Sequence, residues 1–348
     1  MMSKARRSIH LVVLAALGLG LGDAATRGAF AQSCNAMRKI NIGVSVAPPN
    51  VVHTSPYVAK ELGFFAKRCI EPTIVQFEGR ASATANAAAA QGSAIVSVSD
   101  VAIGRGMKVQ QFWGLAPRMP QAYVVSPDVK TAADLKGKKL SATGGGVGGF
   151  NWRMGREILH TAGMTVDDAQ FISAATAGRL PGLLAGQIDG VALHPEDVFL
   201  AKKQKPALNV LLQLADLMPD YMFNAYGASL DWIGRDRALL RDTAAAMIEA
   251  RAMFRDKAKV VPIIEKATDK PRDAVEYAID VLTKNCVWSI NTGFDPRAPN
   301  GRSTTAPRTA TSTRRKSRAS SRSQILRSPK RRSRPRAARS PSAIARID

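Results

Sequence analysis

Ser55-Pro56-Tyr57-Val58-Ala59-Lys60-Glu61-Leu62-Gly63-Phe64-Phe65 reads as a loop turning into a short amphipathic helix. Lys39-Ile40-Asn41-Ile42-Gly43-Val44 before it and Pro72-Thr73-Ile74-Val75-Gln76-Phe77 after it are apolar, β-rich runs. The unit is therefore strand, loop, helix, strand. The alternation continues with a helical pattern over 81–91 and a strand over 94–98. Such βαβ order predicts a mostly parallel sheet with helices on its faces.

A connecting strand over 122–126 leads to a second round of the same pattern. Strands are expected over 139–142, 170–173, 191–193 and 208–212, with helices over 151–162 and 178–185. Near 223–229 the chain is expected to cross back to the first lobe. Helical spacing follows over 236–254, 260–267 and 272–281, with Asp236 and either Asp269 or Asp273 at helix starts. About 270 residues are enough for two lobes, each with its own core. The expected organisation is 32–124 in lobe 1, 125–223 in lobe 2, and 224–299 returning to lobe 1 as mostly helix.

The ends differ from this body. Lys4, Arg6 and Arg7 precede an apolar run from Leu11 to Leu21, and Ala29-Phe30-Ala31 is a small-x-small cleavage sequence. Residues 1–31 read as a cleavable signal peptide, with the mature chain starting at Gln32. The run is too short, and too interrupted by glycine, for a comfortable membrane span. Ala31-Gln32-Ser33 before Cys34 lacks the leucine of a lipobox.

The formal charge of +23 invites a nucleic-acid or membrane reading. Most of it lies in residues 300–348, which hold 15 Lys and Arg against one Asp and contain no Glu and no aromatic residue. Only about +6 belongs to 32–299. The tail reads as a disordered polycation. It has no interleaved aromatics to stack bases, so no nucleic-acid partner is expected. Codons compatible with Arg297-Ala298-Pro299-Asn300-Gly301, read from the third base, spell Arg-Thr-Glu-Trp. They continue into a sequence of mixed charge with aromatics and an Ala-Leu helix, so a frameshift near Pro296 is expected to underlie the tail.

Taken with Leu135-Lys136-Gly137-Lys138-Lys139-Leu140 and Leu184-Ala185-Gly186-Gln187-Ile188-Asp189-Gly190, the opening stretch resembles the periplasmic solute-binding proteins of ABC importers. The nearest branch carries nitrate, alkanesulfonates, taurine or pyrimidine precursors of thiamine. The resemblance implies a two-lobed α/β fold of the type II periplasmic-binding kind, with two hinge crossovers and a cleft walled by the loop before Ser55. It also implies a monomer in the periplasm, a small polar or anionic ligand, an inner-membrane permease as partner, and neither catalysis nor cofactor. The same fold carries thiamine-pyrimidine synthases, which need clustered cysteines for iron and a lysine for pyridoxal phosphate. The cysteines here, Cys34, Cys69 and Cys286, show no such spacing.

In open α/β lobes, ligands meet the carboxyl ends of strands and the N–H groups of helix starts. This names Ser45, Asn50, His53 and Tyr57 after the first strand, Arg80 after the second and Ser99 after the third. Across the cleft it names the run from Thr143 to Asn151, with Gly145, Gly148, Phe150 and Asn151, and then His194 and Glu196. Glycines there admit close approach of an anion, but no Gly-Lys-Ser/Thr ends the run as in a P-loop. A lobe-edge loop is the alternative. Arg80 suits a carboxylate or sulfonate, or simply solvent. His194 stands where relatives carry Trp before a Glu-Pro pair. Its imidazole either bonds a ligand or fills space. Glu196 and Asp197 read as capping or surface acids. Export permits one disulfide among Cys34, Cys69 and Cys286, with one thiol left over and no pairing fixed by the sequence; the favoured reading has Cys69 and Cys286 as buried free thiols.

Overall fold

The computed structural model describes residues 34–77, 85, 87–89, 91–97, 103, 106–143, 145–289, 291 and 293. The leader, the basic tail, Arg80 and Ser99 lie outside these residues. The described residues fold as two α/β lobes. β1 (Arg38–Val44) and β2 (Ile70–Gln76) pair in parallel, with α1 (Ser55–Glu61) in the crossover between them. Pro56 fits the first turn of α1 because its missing N–H would have no intrahelical partner there. A bridge from Ile42 to Ile95 brings β3 (Val96–Ser97) alongside.

Strand β10 (Asn224–Ser229) lies between β3 and β4 (Val109–Ala116), antiparallel to both. Sequence reasoning assigned no strand to β4, because Gln110-Gln111 breaks its apolar run. A Cβ at Gly114 would stand 2.7 Å from the carbonyl oxygen of Gly293, so the strand passes that loop only as glycine. One core, including Ile42, Trp113, Tyr226, Met247 and Val275, gathers side chains from both ends of the described chain.

The other lobe is a five-stranded sheet in the order β7 (Gln170–Ile172), β6 (Lys139–Ser141), β8 (Gly190–Leu193), β5 (Ala122–Val125), β9 (Asn209–Gln213). β6 runs parallel to β7 and β8, whereas β5 is antiparallel to β8 and β9. Alternation along β5 places Tyr123 and Val125 in one core with Leu140 and Met154. Ala122 and Val124 enter another core with Val191 and Leu193. Burial on both faces explains the unbroken apolar strands. The helices α2 (Phe150–Thr161), α3 (Arg179–Leu184), α4 (Pro195–Gln204) and α5 (Leu214–Leu217) belong to this part of the chain.

After β10 come α6 (Leu230–Arg235), α7 (Arg237–Ala252), α8 (Lys257–Thr268) and α9 (Arg272–Lys284). Asp236 caps α7 by accepting from the Leu239 N–H at 3.0 Å. Asp269 instead ends α8 in the left-handed region, and Asp273 lies in the first turn of α9. Val275, Ala278, Ile279 and Leu282 form the buried stripe of α9 at helical spacing. No helix among the described residues is long and apolar enough to cross a membrane.

The cysteine reading is corrected. Cys34 and Cys69 are joined in a disulfide, and Cys286 is an exposed free thiol. The parallel register, Arg38 opposite Ile70, brings the approaches to β1 and β2 side by side, and the Arg38 N–H donates to the Cys69 carbonyl at 2.8 Å. That pairing of strands, invisible in cysteine spacing, brings the two thiols together.

Candidate functional site

Strand β8 delivers its last residue, Leu193, to the start of α4. His194 is the extended N-cap residue, Pro195 follows, and Glu196 and Asp197 occupy the first turn, where the helix dipole favours acids. Both acids are buried, so the surface reading of Glu196 and Asp197 is corrected. Their burial follows from contact with lobe 1. Glu196 Oε1 accepts from Asn50 Nδ2 at 3.0 Å and from the Val51 N–H at 3.1 Å. Asn50 directly precedes the 3-10 turn Val51–His53 that leads to α1.

The same asparagine is held from its other side. Arg179 Nη2 donates to Asn50 Oδ1 at 3.3 Å, and Arg179 Nε donates to the Thr176 carbonyl at 3.1 Å. With Glu196 taking the NH₂ group and Arg179 the oxygen, the amide orientation is fixed. Arg179 Nη2 also stands 3.7 Å from Asp197 Oδ2, and Lys270 Nζ donates to Asp197 Oδ1 at 2.6 Å. Lys270 lies between α8 and α9. Two chains of polar contacts thus join the lobes, one through Asn50 and one through Lys270.

Aromatic and imidazole rings meet beside them. His53 and His194 have ring centroids 5.8 Å apart, and Phe223 lies 5.7 Å from the first and 5.5 Å from the second. Phe150, at the start of α2, meets Phe223 edge-on at 5.8 Å. Gln121 Nε2 and His194 Nε2 are 3.1 Å apart. Several buried atoms of this group have no hydrogen-bond partner: His53 Nδ1, His194 Nδ1, Gln121 Oε1 and Glu196 Oε2. Ser45 Oγ, at the end of β1, and Ser55 Oγ, at the start of α1, share that condition. Buried polar atoms are normally paired, so the unpaired ones gathered here set the junction apart.

Burial sets the protonation. It pulls His53 down to about 3, with Arg179 adding to the effect. His194 falls well below the ordinary histidine range through burial, then Arg179, His53 and Lys270. Both imidazoles are neutral at pH 7. Burial, and secondarily Asp197, raises Glu196 to about 7, against the hydrogen bonds from Val51 and Asn50.

The structure therefore brings together Asn50, His53, Phe150, His194 and Glu196. Tyr57 is half-buried, and its hydroxyl accepts from Gln76 Nε2 at 2.9 Å near the end of β2. Gly145 and Gly148 are exposed, with φ of 119° and 82°. Two N–H groups of their loop are already used, Gly146 donating to the Ala142 carbonyl and Gly149 to that of Gly146. Asn151 spends both ends of its amide inside lobe 2, giving to the Thr143 carbonyl and accepting from the Ala192 N–H, each at 3.1 Å. It holds the glycine loop to β8.

Sequence reasoning missed Gln121, Arg179 and Phe223. Gln121 was open to discovery, since β5 runs antiparallel to β8 and its first residue therefore pairs with the last of β8, Ala122 opposite Leu193. Arg179 carries no comparable signal.

A family model described as NMT1/THI5 like matches residues 50–256. The chain belongs to the NMT1/THI5-like family. The match spans more than half of the chain and holds most of the junction, from Asn50 to Phe223. No curated protein matches the sequence. Among solved structures, the periplasmic aliphatic sulphonate binding protein SsuA from Escherichia coli superposes with a TM-score of 0.57 at 21% identity, over 70% of this chain and 78% of that one. The alkanesulfonate-binding protein SsuA from Xanthomonas axonopodis pv. citri, bound to MOPS, gives 0.57 at 18%, over 71% and 85%. The periplasmic nitrate-binding protein NrtA from Synechocystis PCC 6803 gives 0.56 at 17%, over 69% and 70%. These likenesses establish for this NMT1/THI5-like chain the fold of periplasmic binding proteins.

Proposed function

We propose that this chain is the substrate-binding component of an ABC-type importer, capturing a small polar organic solute between its lobes in the periplasm. The observation that carries the reading is the set of buried, unpartnered polar atoms supplied by both lobes at the junction of Asn50, His53, His194 and Glu196. A solute entering there would exchange water for those atoms and, by touching both lobes, favour the closed arrangement over the open one. Delivery to a membrane permease would follow from reopening, with no covalent step. The family model and the fold shared with sulfonate- and nitrate-binding proteins support the same reading. We assign the protein as an exported monomer working with such a permease.

The test is a thermal-shift screen of the full chain against sulfonates, nitrate, pyrimidines, dicarboxylates, aromatic acids and amines. A ligand at about a hundred times its dissociation constant stabilises the folded state by roughly 2.7 kcal/mol. One saturable hit, lost in Asn50→Ala, supports the reading. Purified protein with the absorbance of iron or pyridoxal phosphate, or with no hit across the panel, would overturn it.

A further inference from the structure

One face of α4 lies along lobe 1. Glu196, Phe199 and Lys203, spaced as i, i+3 and i+7, meet in turn Asn50 with Val51, Tyr277 and Asp273. Asp197, beside Glu196 in the first turn, accepts from Lys270 Nζ at 2.6 Å. Asp197 differs from its neighbours on α4 because it has a cation from each side. Lys270 comes from lobe 1, and Arg179, 3.7 Å away, from lobe 2. Arg179 in turn donates to Asn50 Oδ1, back in lobe 1. The relay of Lys270, Asp197, Arg179 and Asn50 therefore crosses the junction twice.

That order has physical consequences. While Lys270 holds Asp197, Arg179 is shared between Asp197 and Asn50. Without Lys270, Asp197 pulls on Arg179 alone, at the expense of Asn50. When the lobes part, Asp197 keeps Arg179, and the partly exposed Lys270 gains water, so opening strands no buried charge. Buried ion pairs sit near break-even against hydration, which suits an equilibrium between open and closed states rather than a lock.

We propose that Lys270 is a positioning residue: by gripping Asp197 across the junction it keeps Arg179 on Asn50 and holds a minor share of the empty chain closed. The inference rests on the capture reading for its purpose but not for its test, which needs no solute.

Dyes on Cys286, exposed in lobe 1, and on Lys136→Cys, exposed in lobe 2, report lobe separation in the full chain by single-molecule energy transfer. Two populations are expected, with Lys270→Met lowering the closed-to-open ratio by about fivefold. Lys270→Arg keeps the charge and should restore most of that ratio. Lys203→Ala, at the exposed end of the same helix face, should leave it nearly unchanged. Asp197→Asn breaks the same link from lobe 2 and should match Lys270→Met, which keeps the test decisive if either variant fails to fold. A single open population in the otherwise wild-type chain, an equal ratio in Lys270→Met, or no recovery in Lys270→Arg would overturn the inference. None of these results bears on whether the chain captures a solute.

Discussion

Arg179 and Arg251 are equally buried, each 7% exposed, yet the chain accommodates them in opposite ways. Arg179, at the lobe junction, is surrounded by oxygen: Asp197, Asn50 and the Thr176 carbonyl. Arg251, on α7 in the lobe 1 core, lies over rings, its guanidinium carbon 4.2 Å from the Trp288 centroid and 5.1 Å from that of Phe254. Its Nε and Nη1 have no partner, and burial pulls its guanidinium well below the ordinary range. A desolvated charge costs several kcal/mol unless it is paired. An aromatic face returns about 2 kcal/mol. The first arginine therefore joins the lobes, whereas the second is a charge that the core tolerates.

The largest consequence concerns their removal. Arg179→Met should cost about 3 kcal/mol, because Asn50 Oδ1 loses its donor and Asp197 keeps only Lys270. Arg251→Met should change stability by about 1 kcal/mol or less, since it removes a desolvation cost along with the ring contact. Urea unfolding of the two variants measures both, and equal losses would break the comparison. A smaller effect sharpens it. A double-mutant cycle of Arg251→Met with Trp288→Leu should give a coupling of about 1–2 kcal/mol, with the Trp288 hydrogen bond to the Val52 carbonyl lost equally in both backgrounds.

Acidity separates the two regions further. Glu196 is raised to about 7 by burial and then by Asp197, and its contribution is fully present below the ordinary carboxylate value of 4.5. It is lost as pH rises toward 7, because the buried carboxyl must then ionise. His53, lowered to about 3, acts the other way: its contribution is present above 6.5 and falls as acid protonates the unfolded chain first. The two oppose each other between 4.5 and 6.5. Glu196→Gln should therefore steepen the acid loss of stability in that window, by on the order of 1 kcal/mol per pH unit, and His53→Asn should flatten it. Arg251→Met should leave the profile unchanged. Denaturation midpoints at four pH values decide this. The smallest effect belongs to the rim, where Lys203 pairs with Asp273 across α4 and α9 at 2.5 Å, both exposed. Lys203→Ala should cost no more than about 0.5 kcal/mol.

The same contrast explains what sequence could reveal. The strands β5 and β8 were legible because strands buried on two faces are continuous apolar runs, although β5 pairs antiparallel and belongs to no βαβ unit. Asn50, His53, His194 and Glu196 were legible because they follow strand ends, where open sheets present their loops. Arg179 was not, because its partners come from 129 residues away at Asn50 and from the next helix at Asp197. Arg251 has no signal at all, since nothing in a helical run such as Glu249-Ala250-Arg251 distinguishes a buried arginine from a solvated one. The glycine run after Thr143 looked like an anion cradle, but loop closure consumes N–H groups that spacing alone cannot count. The disulfide needed the register of β1 on β2.

The central claim is that the lobes close on a solute through the Asn50 and Glu196 contact. Small-angle scattering of the full chain, without and with the tightest-binding probe, tests it most directly. The account predicts a smaller radius of gyration on saturation, and no such change in Asn50→Ala at the same probe concentration. A probe that binds with the scattering curve unaltered, and equally well to Asn50→Ala, would contradict it.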